Sequence, residues 1–192
     1  IILNEISGIQ MGSKDTCLLP VDKKGIGSNG TDELADYWKN LHKTFNIEDP
    51  FSVSTTVTDE KIYAYWNVGL VPIKTGKNIF SEWNEVYEKM MRDRLFPNGI
   101  ITFTDQVSYS LCAQKMRLEI GTLESGYNYP VQAQKEIVLK NKINNPEDVK
   151  TLHYHRSFRS PLVKNNNLIH FLQNHSDRQW WLKQFKELKL YP

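Results

Sequence analysis

Between residues 51 and 96 the hydrophobic period of the chain switches once, and that switch limits what it can fold into. FSVSTTVTDEKIYAYWNVGLVPIK is dense in β-branched and aromatic residues. It reads as a strand over 53–57, a turn near 58–61, and a second extended run from Ile62. NIFSEWNEVYEKMMRDRLF follows at once with helical spacing, placing Phe80, Trp83, Val86, Tyr87 and Met90 on one face. Extended chain thus feeds directly into an amphipathic helix, an alternation that an α/β fold uses.

The flanking segments extend the same alternation. TCLLPV (16–21) predicts a short buried strand, and KKGIGSNG (23–30) a flexible loop by its Gly, Ser and Asn content. Thr31 is the expected cap of a helix over 32–45, with Leu34, Trp38, Leu41 and Phe45 inward. TDQVSYSLCAQKM predicts a further helix, capped by Thr104, with Val107, Leu111 and Cys112 inward. LEIGTLESGYNYPVQ reads as a strand entering an aromatic loop, and VKTLHYHRS as a second short strand. Trp38, Phe80 and Trp83 are assigned to the core. Two C-terminal helices are expected, near 167–173 and 178–188. The 192 residues are enough for one domain with a real core, and a single domain over 1–192 is expected.

Composition narrows the partners. A net charge of +2 gives no electrostatic case for nucleic acid. No apolar run reaches the roughly 20 residues of a membrane-spanning helix. Cys17 and Cys112 lie far apart, match no metal spacing and read as reduced buried thiols, pointing to a cytoplasmic location. The basic amphipathic segment RQWWLKQFKELKL is expected to pack on its own domain. Peripheral contact with an anionic membrane is its alternative.

The remaining signal is an ordered set of short motifs. YWNVGLV interrupts an apolar run with Asn67 and Gly69. DQ (Asp105, Gln106) opens a helix, LESGYNY carries Tyr127 and Asn128, and TLHYHRS carries His153 and Arg156. In this order, from Tyr65 to Arg156, they resemble the C-terminal half of GT-A glycosyltransferases of the glycogenin and lipopolysaccharide glycosyltransferase type. One departure is Glu124, where that family usually has Pro. The resemblance implies a GT-A-like mixed sheet flanked by helices. It implies transfer of a sugar from a nucleotide diphosphate sugar to a glycan, lipid-linked or protein acceptor, assisted by Mn²⁺ or Mg²⁺. The family's metal-binding D-x-D occurs nowhere in these residues. The expectation is therefore an incomplete fold whose nucleotide-binding half lies upstream of Ile1. A non-catalytic glycan- or partner-binding domain of the same shape is the alternative.

Carried over residue by residue, the resemblance makes Asp105 the catalytic candidate. A carboxylate accepts from two hydroxyls at once or takes the proton of an attacking one. Asn67, Gly69, Gln106, Tyr127, Asn128 and Arg156 become substrate-binding candidates, with Arg159 and Lys164 adding positive charge, and His153 becomes the metal ligand. Each has a plainer reading. Asn67 and Gly69 could form a self-satisfied bulge, Asp105 a helix-start acid. The Tyr127–Tyr129 segment could be a packed loop, and the histidines and arginines surface residues.

Overall fold

The computed structural model describes residues 8–99, 101–124, 126–130 and 148–153, with the backbone alone for residues 130, 152 and 153. The chain divides into two compact units, Ile9–Leu123 and a second formed by Ile1–Gly8 with Glu124–Pro192. The expected C-terminal helices, and His155, Arg156, Arg159 and Lys164, lie outside the described residues.

The first unit is mixed α/β. Its elements run β1 (Thr16–Pro20), α1 (Ala35–Thr44), β2 (Ser52–Ser54), β3 (Lys61–Tyr63), β4 (Trp66–Asn67), α2 (Ile79–Arg92), α3 (Thr104–Lys115) and β5 (Ile120–Thr122). β1 is the central strand of a three-stranded mixed sheet, antiparallel to β4 and parallel to β5. Leu19 faces Asn67 and Cys17 faces Gly121 across these ladders. A Cβ at position 121 would come within 2.8 Å of Cys17 Sγ, so a larger residue here would have to push the buried thiol aside. β2 and β3 form a separate hairpin. The strand expected over 53–57 ends at Ser54. Thr55 instead closes the hairpin turn, its hydroxyl accepting from Glu60 N–H at 3.0 Å.

The helix expected from Asp32 starts three residues later. Asp32 is occupied with its own loop. Its carboxylate accepts from Ser28 Oγ (2.7 Å), Lys24 Nζ (3.0 Å), Asn29 N–H (3.0 Å) and Leu34 N–H (3.1 Å). Burial works against that charge, but these donors outweigh it and hold the carboxyl well below the usual carboxylate range. The 23–30 segment is thus wound around a buried carboxylate rather than slack, and Ser28 is fully buried. Thr31 bonds Asn29 instead of capping α1, and Leu34 takes the N-cap position.

α3 runs through the core. Val107, Tyr109, Leu111, Cys112 and Ala113 are fully buried, and so are Ser108 and Ser110. α1 packs through Trp38 and Leu41, and α2 through Ile79, Val86 and Met90. Several buried polar side chains of α3 reach different neighbours. Tyr109 Oη donates to Thr16 Oγ1 on β1 (2.9 Å), and Thr16 passes the chain to the Pro72 carbonyl (2.8 Å). Ser110 Oγ accepts from Trp66 N–H on β4 (3.2 Å), and Gln114 Nε2 donates to the Ala64 carbonyl (3.4 Å). Cys17 and Cys112 are both buried free thiols, as expected. No helix among the described residues is long and apolar enough to cross a membrane.

His42 on α1 is 4% exposed, packed between Trp38 and Tyr63, and its Nε2 has no hydrogen-bond partner among the described residues. Burial pulls its pKa down to about 4. A base whose pKa falls on folding costs stability as pH drops, because the unfolded chain takes up the proton first. The loss begins near the ordinary histidine value of 6.5 and is complete near 4, amounting to on the order of 3 kcal/mol. His42→Leu should flatten that acid limb in denaturant titrations between pH 7 and 4. Parallel pH curves for variant and wild type would show that His42 is not the titrating group.

Candidate functional site

The expected site residues divide between the two units. Asn67, Gly69, Asp105 and Gln106 belong to Ile9–Leu123, and Tyr127, Asn128 and His153 to the second unit.

In the first unit, Asn67 ends β4 and is buried, whereas Gly69 is exposed. Asn67 Oδ1 accepts from Gly69 N–H at 3.0 Å. That bond folds the chain away from β1, which then pairs with residue 73 further along, through a bridge from Thr16. The local reason for Asn and Gly in this apolar run is therefore an Asx-type turn at the sheet edge.

Asp105 lies in the first turn of α3, and its geometry is set from behind. Phe103, at the N-cap position, has φ 50° and ψ 28°, a left-handed state that is uncommon for a bulky residue and redirects the chain into the helix. Thr104, expected to cap, does not. Its hydroxyl is buried and without a partner among the described residues, because the left-handed turn moves the cap position one residue earlier. Asp105 itself is exposed, and its carboxylate makes no hydrogen bond or ion pair with any described residue. Two hydroxyls anchor the turn that carries it: Ser108 Oγ donates to the Asp105 carbonyl (3.0 Å), and Ser110 Oγ to the Gln106 carbonyl (2.8 Å). Burial first, then the nearby Asp105, pushes the Tyr65 hydroxyl well above its ordinary value.

Beside Asp105 lies a shallow cavity of about 370 Å³ lined by Phe80, Trp83, Asn84 and Tyr87 of α2. Trp83 Nε1 donates to Ser108 Oγ (2.9 Å), and its ring packs edge-on against Tyr109 (centroids 4.8 Å, 80°). Ser108 therefore links the indole directly to the backbone of Asp105. Phe80, assigned to the core from sequence, is instead 66% exposed. At about 100° per residue, Ile79, Val86 and Met90 form the buried stripe of α2, and Phe80, Trp83 and Tyr87 form a second stripe beside it. The signal in the sequence was this surplus: more large apolar residues than one helix face can bury.

In the second unit, Tyr127, Asn128 and Tyr129 are buried. β6 (Tyr129–Pro130) pairs in parallel with β7 (Leu152–His153), placing Pro130 opposite His153. Tyr129, expected in a loop, is therefore in a strand. Asn128 has φ 55°, its N–H donates to Thr151 Oγ1 (2.6 Å), and its Nδ2 is buried without a partner among the described residues. A Cβ at Gly126 would meet the Asp148 carbonyl oxygen at 2.2 Å, so this turn requires glycine. Among the described residues no three His, Cys, Asp or Glu side chains cluster as a metal ion requires. They do not fit a complete cation site.

Residues 24–117 match a protein-family model described as a Rhodobacterales glycosyltransferase domain, just under half of the 192-residue chain. The match spans α1 to α3 and contains Asn67, Gly69, Asp105, Gln106 and the whole aromatic cavity. It excludes Tyr127, Asn128, His153 and Arg156. No curated protein and no solved structure matches the chain.

If Ser108 couples Trp83 to α3, Ser108→Ala should strand a half-buried indole N–H and cost about 1–3 kcal/mol in denaturant unfolding. The same change in a Trp83→Phe background should cost clearly less. Equal costs in both backgrounds would remove the coupling.

Proposed function

We propose that the chain is part of a glycosyltransferase, with the first turn of α3 forming the acceptor side of its active site. What supports this is Asp105. It is an exposed carboxylate without a partner among the described residues, on a rigid helix start, inside the stretch that matches a glycosyltransferase domain.

The reaction is displacement at the anomeric carbon of a nucleotide diphosphate sugar. A bond forms from the acceptor oxygen to that carbon, and the bond from the carbon to the diphosphate oxygen breaks, the diphosphate leaving with the electron pair. Asp105 accepts the hydrogen bond of the attacking hydroxyl, orients it, and takes its proton as the bond forms. Gln106, Asn67 and Gly69 remain the substrate-binding candidates of the first unit, and Tyr127 and Asn128 those of the second, by sequence position alone. His153 and Arg156 keep their expected roles toward metal and diphosphate by sequence position alone. The divalent cation of the resemblance would offset the charge on the leaving diphosphate. Among the described residues no cluster of His, Cys, Asp or Glu would hold that cation.

The matching experiment follows nucleotide diphosphate release from a panel of nucleotide sugars with acceptor present. Asp105→Asn should lower turnover by about 10²-fold or more at an unchanged melting temperature. Turnover within about twofold of wild type would remove Asp105 from the chemistry.

A further inference from the structure

We propose that the stripe of exposed Phe80 and half-buried Trp83 and Tyr87, bordered by Asn84 and Asp105, is a saccharide-binding subsite that holds a sugar ring flat against the aromatic faces. Naming that sugar as part of the acceptor rests on the glycosyltransferase reading; the binding itself does not.

The rings are already arranged for this. Phe80 and Trp83 are nearly parallel (25°) with centroids 6.4 Å apart. Atoms in face-to-face contact lie roughly 3.5–4.0 Å apart, so at this separation neither ring covers much of the other. Trp83 is fixed from behind by Ser108 and Tyr109, so the shelf needs little ordering when a ligand arrives. The cavity, about 370 Å³, falls within the range of small-molecule sites.

The border decides the ligand class. An aliphatic chain or an apolar peptide side chain would strip water from Asp105 and Asn84 and return no hydrogen bonds. A phosphorylated ligand would bring negative charge against the Asp105 carboxylate. A neutral saccharide meets both demands. Its C–H face lies on the rings, and its hydroxyls donate to Asp105 and exchange hydrogen bonds with Asn84. The same argument assigns the shelf to the acceptor rather than to the diphosphate-bearing donor.

The test is retention of the full chain on an array of immobilised neutral oligosaccharides, followed by calorimetry with the best-retained glycan. Wild type should bind, and Phe80→Ala and Tyr87→Ala should each weaken binding by about tenfold, Phe80→Ala with an unchanged melting temperature. Phe80 is largely solvent-exposed, so its removal leaves the core intact. Uridine monophosphate should not compete. Absence of glycan binding by wild type, equal binding by both variants, or displacement by the nucleotide would each overturn the proposal. Donor turnover by wild type reads the enzyme assignment separately. Glycan binding that is lost in Phe80→Ala, in a chain that turns over no donor, sinks the enzyme reading and still supports the shelf.

Discussion

The first unit depends on the burial of α3. A helix enclosed this completely is normally apolar all round. α3 instead carries Ser108, Tyr109, Ser110 and Gln114 inside, and their hydrogen bonds fix it to α2, β1, β4 and the Ala64 carbonyl. Each bond adds only about 0.5–1.5 kcal/mol net, but an unmade one would cost the desolvation of a buried polar group. The set therefore specifies one register for α3 more than it stabilises the unit. A slide by one turn would orphan several of these groups together.

That fixed register is what makes the start of α3 usable. Asp105 needs no partner of its own, because the turn beneath it is held through carbonyls by Ser108 and Ser110. Its carboxylate is left free to face solvent. Ser108 serves twice, steadying the Asp105 backbone and the Trp83 indole. The backbone of Asp105 and the indole of Trp83 are thus steadied by one buried hydroxyl, as the proposed single site would require. Such support from packed elements is the way a binding constellation keeps its geometry.

Much of the fold was legible because period and burial agree. Trp38, Leu41, Val86, Met90, Val107 and Leu111 were placed inward by spacing alone, and all are buried. The misplacements share a cause. Thr31 and Thr104 satisfy the residue preference for helix caps, but Asp32 claims one loop and the left-handed Phe103 resets the other. Residue type cannot reveal that a neighbour has taken the role. Phe80 shares the apolar helical face that spacing assigns to the core, and sequence does not show where along that face the core stops. The Asn67–Gly69 turn was within reach as an alternative, since an Asn two residues before a Gly is an Asx-turn signal. Of the site, Asp105 and Gln106 fall in the stretch that matches the glycosyltransferase domain. Tyr127, Asn128 and His153 fall in the other unit, where sequence order alone relates them to Asp105.

The central claim is that Asp105 and the α2 shelf form a single sugar-facing site. Amide chemical-shift mapping of the isotope-labelled chain, titrated with a glycan it retains, tests this most directly. The account predicts that shifts at residues 80–87 and 103–106 move together along one binding curve, with Trp83 Nε1–H among the affected signals. Shifts confined to one of these two segments, or saturating at different ligand concentrations in each, would contradict it.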